Sequence, residues 1–239
     1  MVKGFVPLIH VDNVVRPEGK TTYGYAPRIG TSDPVSLLMS HSMENEVRDK
    51  WWNVQPGDVV LDIGAAYGSY TFSALADGAH VVFAFEPDKG CIFDLLTGAL
   101  INGVAGRCIV LPVLVGNQIG TTDYWPDQHS SLHHGAGRRR RAIVTVDWFC
   151  EQHRLVKVDW IKIDVEGMEV DVLKGAESTL KRCSPKLFIE NHVAIIPNVI
   201  EDIRKILLPL GYVEENETKG EGTNESWSYW SIKEIANGA

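Results

Sequence analysis

Two carboxylates on either side of a glycine-containing turn are the first residues of this chain that could do chemistry. They lie in VVLDIGAAYGSYTFSALADGAHVVFAFEPD, residues 59–88. One apolar strand ends in Asp62, a turn with Gly64 and Gly68 follows, and a second apolar strand ends in Glu86. The turn lacks the G-x-G-x-x-G spacing that packs a pyrophosphate against a helix N-terminus. A dinucleotide is therefore the weaker hypothesis for the ligand.

Glu86 is placed to recognise a ribose. A carboxylate only accepts hydrogen bonds, so at the end of the second strand it can receive them from both ribose hydroxyls. The small residues Gly64, Ala65 and Ala66 let backbone approach the same ligand closely. Asp62 would face a cationic part of the ligand, where a negative charge is favourable. The combination suits an adenosyl group, as in S-adenosylmethionine.

Both carboxylates also have an interpretation without a ligand. Asp62 could cap the helix that begins near Ser69. Glu86, Pro87 and Asp88 could mark only a helix start, since proline and acids are common in the first helical turn. Each interpretation is weakened because the two carboxylates occur together at this separation.

A second group of polar residues follows the next two apolar strands. In WIKIDVEGMEVDVLKGAESTL, Asp164 ends a strand and Glu166 comes two residues later. In LFIENH, a carboxylate, an amide and an imidazole end the following strand, namely Glu190, Asn191 and His192. Ligands of open parallel sheets bind beyond the carboxyl ends of the strands. We therefore expect both groups of residues to converge on one crevice.

Such a crevice can activate a weakly acidic hydroxyl in two ways. His192, Glu166 or Asp164 can accept the proton as general base. Alternatively, Asp164, Glu190 and Asn191 can hold Mg²⁺, which lowers the pKa of the hydroxyl. The same residues could instead serve the fold, with His192 as a hydrogen-bonded histidine at the rim and Glu166 as a helix cap. Carboxylates and amides also stabilise loop backbone without an ion.

Composition limits the class of protein. The 239 residues can form one sizeable core, and the net charge of −8 argues against a general nucleic-acid binder. A small-molecule acceptor fits better. No stretch approaches the roughly 18 apolar residues of a membrane span, and the N-terminus lacks a signal peptide's apolar core, so we expect no membrane association and a cytoplasmic location.

Two sets of residues bear on packing and assembly. The cysteines are scattered without metal or disulfide spacing and are interpreted as buried apolar side chains: Cys91, Cys108, Cys150 and Cys183. Four tryptophans could supply a homodimer surface: Trp51, Trp52, Trp227 and Trp230.

The candidate residues must be positioned by alternating strands and helices. Runs of Val, Ile and Leu separated by helices indicate parallel strands buried on both faces. The predicted helices cover 69–77, 88–101, about 169–182 and 199–208. The predicted strands are DVVLDI, HVVFAFE, RCIVLPVLVG, DWIKIDV and PKLFIEN, with closing segments near 211–217 and 226–234. We predict a doubly wound α/β sheet of about seven strands over 56–239, preceded at 1–55 by an extension and a capping helix.

Residues 116–141 interrupt this alternation. They show no helical or long strand period, which is typical of a functional or a flexible loop. Side chains that could pack on a substrate ring are Tyr124, Trp125, His129, His133 and His134. Arg138 to Arg141 could bind an anion, but we interpret them as a solvated charge run.

Several blocks of the chain resemble the FkbM family of S-adenosylmethionine-dependent methyltransferases: VVLDIGAAYGSYT, FAFEPD, VTVDWF, WIKIDVEGMEVDVLKGA and LFIENH. The match covers about residues 44–195, and KIDVEG downstream of an FEP strand is more specific than a glycine turn alone. The resemblance implies a class I methyltransferase (Rossmann-like) fold with strand order 3-2-1-4-5-7-6 and an antiparallel seventh strand. It also implies O-methylation of a hydroxyl on a sugar, a polyketide or a similar natural product.

The resemblance also implies roles for single residues. The methionine end of the cofactor would be lined by Asp62, Gly64, Ala65 and Gly68. Glu86 would bind the ribose, and Asp164 would face the reacting centre. Many relatives have Asn where this chain has Ala66, so a polar contact is missing there.

A weaker resemblance, to catechol-type O-methyltransferases, implies Mg²⁺ on Asp164, Glu190 and Asn191. Those enzymes have Asp rather than Glu on the fifth strand, which would alter the geometry of the ion.

Three other functions stay open. An N-methyltransferase of nucleic acids would have an Asn/Asp-Pro-Pro-aromatic turn where this chain has Val165-Glu166-Gly167. An NAD-dependent oxidoreductase would need phosphate-cradling glycines. A noncatalytic adenosyl-binding domain would keep the fold and lose the activity.

Overall fold

A central sheet organises the residues that the structure, a computed structural model, describes: 50–124, 139–219 and 226–232. The strands in chain order are β1 (Val59–Ile63), β2 (Val81–Phe85), β3 (Cys108–Leu111), β4 (Leu114–Val115), β5 (Gly120–Tyr124), β6 (Arg139–Val144), β7 (Trp160–Ile163), β8 (Lys186–Asn191), β9 (Tyr212–Lys219) and β10 (Ser226–Ile232). The helices are α1 (Ser69–Ala76), α2 (Lys89–Ile101), α3 (Val146–Gln152), α4 (Glu169–Lys174), α5 (Glu177–Cys183) and α6 (Val199–Leu207). A 3₁₀ turn at Leu208–Leu210 follows α6.

The seven-stranded sheet has the order β3-β2-β1-β7-β8-β10-β9. The pairs β2–β3, β1–β2, β1–β7 and β7–β8 are parallel, whereas β10 is antiparallel to both β8 and β9. Counted along this sheet alone, the order is 3-2-1-4-5-7-6 with an antiparallel seventh strand. The predicted class I methyltransferase topology is confirmed.

The topology places the ligand-binding edge between β1 and β7. The chain runs outward from β1 through β2 to β3, then returns to pair β7 with the other side of β1. Connections therefore run to opposite sides of β1, which opens a crevice at the carboxyl ends of the strands.

Apolar side chains cover both faces of the sheet, as continuous apolar strands predict. Leu61 and Ile63 of β1 belong to a core that includes residues of α3, α4, α5 and α6. Val60 belongs to a second core that includes residues of α1 and α2. Burying each such side chain contributes about 1.5–3 kcal/mol relative to exposure.

The four tryptophans lie in these cores. Trp51, Trp52, Trp227 and Trp230 are all buried. The ring of Trp52, for example, lies 4.9 Å from that of Trp160 and 5.4 Å from that of Tyr70. The prediction that these side chains supply a dimer surface is wrong, because all four are buried in the two cores of the chain. Among the free cysteines, Cys108 and Cys150 are buried and the other two are half-buried.

A second, small sheet lies where the sequence predicted an irregular segment. Its order is β4-β6-β5, and β5 pairs antiparallel with β6. The predicted strand RCIVLPVLVG divides into β3 and β4 around Pro112, which has no N–H for a strand ladder. The expectation of an aperiodic segment over 116–141 is therefore wrong at both ends, whereas Trp125, His129, His133, His134 and Arg138 lie outside the described residues.

Arg141 of β6 is not part of a solvated charge run. Its side chain is half-buried, and Nε donates a hydrogen bond to the carbonyl of Pro87 at 2.9 Å. The guanidinium carbon also lies 6.0 Å from the centroid of the Tyr124 ring. Arg141 thus ties the small sheet to the residue that follows Glu86.

The predicted long helix over 169–182 is interrupted between α4 and α5. A Cβ on Gly175 would lie 2.1 Å from the carbonyl oxygen of Gly116, so the backbone of the small sheet occupies the space that a side chain would need. Asp147 of α3 then caps α5, since its carboxylate accepts hydrogen bonds from the backbone N–H groups of Ser178 and Thr179.

Two further predictions concern the N-terminal capping helix and membrane-spanning segments. Of the predicted capping helix, residues 36–49 lie outside the described part of the chain, and Lys50 and Trp51 are helical. In the ranges 50–124, 139–219 and 226–232, no helix has the length and apolar character needed to cross a bilayer.

Candidate functional site

The polar residues predicted from the sequence gather at the carboxyl ends of four adjacent strands. Asp62 lies near the end of β1, and Glu86 follows β2 directly. Asp164 follows β7, Glu190 lies near the end of β8, and His192 follows β8. The parallel register places these chain segments side by side.

The turn after β1 is held tightly against its neighbours. The backbone N–H groups of Gly64 and Ala65 both donate to the carbonyl of Phe85 at 3.0 Å. Gly64 has φ +77°, and a Cβ there would lie 1.7 Å from the backbone oxygen of Asp164. Position 64 therefore accepts only glycine, because the turn after β1 and the turn after β7 touch through backbone atoms.

Ala66 in the same turn has a left-handed backbone, with φ 45°. Asn adopts this conformation more readily than Ala does. The left-handed backbone at position 66 therefore favours the Asn that the family resemblance implies there. Gly68, at φ +93°, precedes α1, and a Cβ there would meet Phe72 and Leu95 at under 3 Å.

Glu86 joins the ends of β1 and β2. Its Oε2 accepts a hydrogen bond from Ala66 N at 2.8 Å, and its Oε1 accepts one from Asp88 N at 2.7 Å. Burial raises the pKa of Glu86 to about 7, against the two backbone hydrogen bonds that lower it. The helix start is made by Asp88, which caps α2 through Gly90 N and Cys91 N. Glu86 is thus a buried carboxylate at the predicted ribose position.

Asp62 is fully buried beneath this turn. Its Oδ2 accepts a hydrogen bond from the hydroxyl of Thr71 at 2.5 Å, and its Oδ1 lies 3.5 Å from Nζ of Lys162. It bonds a side chain of α1 rather than capping the helix. Its predicted contact with the methionine end of a cofactor stays a prediction, as do those of Gly64, Ala65 and Gly68.

His192 is surrounded by three carboxylates. Its Nδ1 lies 2.7 Å from Oε1 of Glu169, and its Nε2 lies 3.3 Å from Glu166 and 3.7 Å from Asp164. Burial lowers the pKa of His192, but the hydrogen bond with Glu169 and the charges of the three carboxylates outweigh burial and raise that pKa to about 9. At neutral pH His192 is therefore mainly an imidazolium, with both ring nitrogens protonated.

The structure thus brings together the three predicted catalytic residues Asp164, Glu166 and His192. Glu166 is half-exposed and has a left-handed backbone, with φ 54°. Glu169 is fully buried and also accepts a hydrogen bond from Gly167 N at 2.9 Å. A carboxylate on one imidazole nitrogen leaves the other nitrogen facing the crevice, as in a base–orienter pair.

The predicted metal ligands do not all converge. Asn191 is fully buried, and its Nδ2 donates to the hydroxyls of Ser226 and Ser228 of β10 at 3.2 Å. Successive side chains of a strand point to opposite faces, so Asn191 turns away from Glu190. Ligand atoms of Asp164, Glu190 and His192 do lie within 4.8 Å of one another. A metal ion at this place would therefore be bound by Asp164, Glu190 and His192, with His192 in the place predicted for Asn191.

Two residues of the site had escaped the sequence analysis. Lys162 is buried, and its Nζ lies 2.6 Å from the carbonyl oxygen of Gly64 and 3.1 Å from Oδ2 of Asp164. Its signal was a single charged side chain within the apolar strand WIKI. Glu169 gave a weaker signal, because an acid in the first turn of a helix is common without any function.

The strand order and the carboxylates beside β1 define a class I methyltransferase fold. The model of the methyltransferase FkbM domain matches residues 62–214, more than half of the chain. The chain belongs to the FkbM methyltransferase family, and it is a methyltransferase.

Known proteins of the same kind are distant in sequence. The hexuronic acid methyltransferase AglP of Haloferax volcanii is 27% identical over 184 residues, which are 74% of this chain and 68% of AglP. The methyltransferase FkbM structure from Methylobacillus flagellatus has a TM-score of 0.54 at 18% identity, over 83% of this chain and 55% of that chain. The magnesium protoporphyrin IX methyltransferase of Synechocystis, with bound SAM, has a TM-score of 0.52 at 13% identity, over 88% of each chain. At such identities the solved structures support the fold alone.

Replacing Gly64 by Ala should unfold the site, whereas Gly103→Ala should be mild. Gly103 also has a positive φ, +65°, but a Cβ there would meet no described atom within 4 Å. The control should lose about 1 kcal/mol of unfolding free energy for its left-handed alanine. Gly64→Ala should lose about 3 kcal/mol or more, since backbone must move. Urea unfolding of both variants measures the difference, and equal losses would contradict the close contact with Asp164.

Proposed function

We propose that this protein is an S-adenosylmethionine-dependent O-methyltransferase that acts on a hydroxyl of a sugar or a related small molecule. The observation that carries this function is the placement of Glu86 and Asp164 on either side of β1, beside a turn without phosphate-cradling glycines. A second support is that the imidazole of His192 and the carboxylate of Asp164 share one rim.

The residues at the turn fit S-adenosylmethionine by their chemistry. Glu86 offers carboxylate oxygens where a ribose supplies hydroxyl donors. Asp164, Glu166, Glu169 and Glu190 make the crevice rich in negative charge, which favours a sulfonium cation and disfavours a phosphate. The cofactor-binding residues would be Gly64, Ala65, Gly68, Glu86 and Asp164, with Asp62 behind them.

The protein's own residues would then prepare the acceptor. S-adenosylmethionine supplies an electrophilic methyl group on a sulfonium. Glu169 would orient the imidazole of His192 through Nδ1, so that Nε2 can take the proton of the acceptor hydroxyl. Asp164, 3.7 Å from that nitrogen, would stabilise the imidazolium that forms. Glu166, whose carboxylate lies 3.3 Å from Nε2 of His192, would form the remaining part of the crevice rim.

The sugar class of the acceptor rests on a relative. AglP, which this chain resembles over 184 residues, is a hexuronic acid methyltransferase. A sugar acid carries both hydroxyls and a carboxylate, so it offers two kinds of oxygen to methylate. We place the hydroxyl first, because the crevice already contains several carboxylates that would repel another anion.

Calorimetric titration with S-adenosylmethionine and with NAD, followed by a transfer assay on glycosides of neutral and acidic sugars, tests the proposal. Binding of S-adenosylmethionine alone, with methyl appearing on a sugar oxygen, is the expected result. Binding of NAD alone would replace it by an oxidoreductase. Binding without transfer to any acceptor would favour a noncatalytic domain.

Glu86→Ala and Asp164→Asn should separate binding from chemistry. Glu86 lies at the ribose position, so its loss should weaken S-adenosylmethionine binding by about tenfold or more. Asp164→Asn should lower kcat by about a thousandfold while the cofactor Kd stays within a few-fold. Calorimetry and initial rates give the two constants. Equal loss of cofactor binding in both variants would defeat this division of roles.

The reaction rate should rise with pH. A general base works in its deprotonated form, and the pKa of His192 is raised to about 9, so kcat/KM should climb to an inflection near that value. Glu169→Gln removes the anionic partner that raises this pKa and should move the inflection to lower pH. The matched control is Asp171→Asn on the same helix, which should leave it unchanged.

A rate that stays constant across the neutral and alkaline range would contradict His192 as the base. It would point instead to an acceptor oxygen that is already ionised, such as the carboxylate of a uronic acid.

Mg²⁺ at Asp164, Glu190 and His192 is the second route to hydroxyl activation. The ammonium of Lys162 lies 3.1 Å from Asp164 and opposes a further cation there, so we favour the general base. Excess EDTA should therefore leave the rate unchanged. A loss of activity that added Mg²⁺ restores would establish the metal route.

A further inference from the structure

Lys162 is a buried cation that the proposed chemistry does not use. It is the third residue of β7, and its Cα partners on the neighbouring strands are Asp62 of β1 and Phe188 of β8. The whole residue is 3% exposed. A buried ammonium is costly unless its donors are satisfied and its charge is balanced.

The contacts of Nζ join two parts of the site. The ammonium donates a hydrogen bond to the carbonyl oxygen of Gly64 at 2.6 Å and another to Oδ2 of Asp164 at 3.1 Å. Oδ1 of Asp62 lies 3.5 Å away. Two of the three N–H donors of the ammonium therefore make hydrogen bonds, and Asp62 balances its charge at ion-pair distance. The ammonium therefore joins the turn at Gly64, where the cofactor is proposed to bind, to Asp164 at the proposed reacting centre.

The charges support the same arrangement. Burial lowers the pKa of Lys162, but Asp164 and Asp62 outweigh burial and hold that pKa above its ordinary value. The side chain is therefore a cation between two carboxylates. Oδ1 of Asp164 is left facing His192 at 3.7 Å, while Oδ2 is held by Lys162.

We propose that Lys162 is a positioning residue that holds the Gly64 turn and the Asp164 carboxylate in one arrangement for methyl transfer. The role rests on the proposed function, because Asp164 acts there at the reacting centre. Lys162 itself exchanges no proton or methyl group. A displacement of about 1 Å in such a carboxylate can cost about a hundredfold in rate.

Lys162→Met tests the role, alone and combined with Asp164→Asn. Methionine keeps an unbranched side chain and removes the ammonium. The matched control is Lys186→Met, since Lys186 is a half-buried lysine on the adjacent strand whose Nζ lies over the ring of Trp160. The measurements are the calorimetric Kd of S-adenosylmethionine and of S-adenosylhomocysteine, the thermal midpoint, and kcat with the acceptor.

Three results are expected. Lys162→Met should weaken both cofactor forms by about tenfold, because the lost hydrogen bond to Gly64 serves the turn whatever the charge of the ligand. It should lower kcat by about a hundredfold in the wild-type background. In the Asp164→Asn background it should lower kcat no further, because a residue that acts through Asp164 has nothing left to position.

Other results would overturn the role. The role is wrong if Lys162→Met folds and matches Lys186→Met in every constant. It is also wrong if Lys162→Met lowers kcat by the same factor with and without Asp164, as a general loss of structure would. If Lys162→Met does not fold, Lys162→Arg keeps the charge but not the three-way geometry. It should then show a lower kcat with a Kd within a few-fold, and an unchanged kcat would overturn the role.

Failure of the positioning role differs from failure of the proposed function. Wild-type protein that transfers methyl while Lys162→Met behaves like the control contradicts only the role of Lys162. Wild-type protein that binds neither S-adenosylmethionine nor S-adenosylhomocysteine contradicts the function itself.

Discussion

The site depends on one buried ammonium between two carboxylates. Lys162 balances the charges of Asp62 and Asp164 beside β1, where the connections of the main sheet run to opposite sides of that strand. Removing one partner from such a group leaves an uncompensated buried charge, which is far more costly than never burying the group. The same ammonium bonds the carbonyl of Gly64 and the carboxylate of Asp164, whose turns are in close backbone contact.

The rest of the crevice follows from an excess of negative charge around that ammonium. Glu169, Asp164 and Glu166 keep His192 protonated, while burial, with a smaller contribution from the charge of Asp88, brings the pKa of Glu86 near neutrality. The two halves of the crevice therefore differ in their electrostatics. One half holds a buried carboxyl group whose pKa is raised to about 7, and the other holds an imidazole whose pKa is raised to about 9 by the carboxylates around it.

The main sheet could be predicted from the sequence because each of its parallel strands is dominated by apolar residues, with few charged residues among them. The small sheet could not, since β5 and β6 carry threonines and arginines in place of an apolar pattern, and the half-buried Arg141 is explained only by its contacts with Pro87 and Tyr124. Asn191 was misplaced because β8 extends through it, so the alternation of side chains along the strand turns it away from Glu190. Lys162 and Glu169 were missed because a buried charge is explained only by its spatial partners.

The hydrogen bonds from Asn191 to Ser226 and Ser228 have a consequence for how the protein is made. They fasten the end of β8, and with it His192, to a strand that the ribosome produces more than thirty residues later. The half of the crevice that contains the imidazole is anchored to β10 only once that strand has joined the sheet, so the rim at His192 is completed by the last strand that the structure describes.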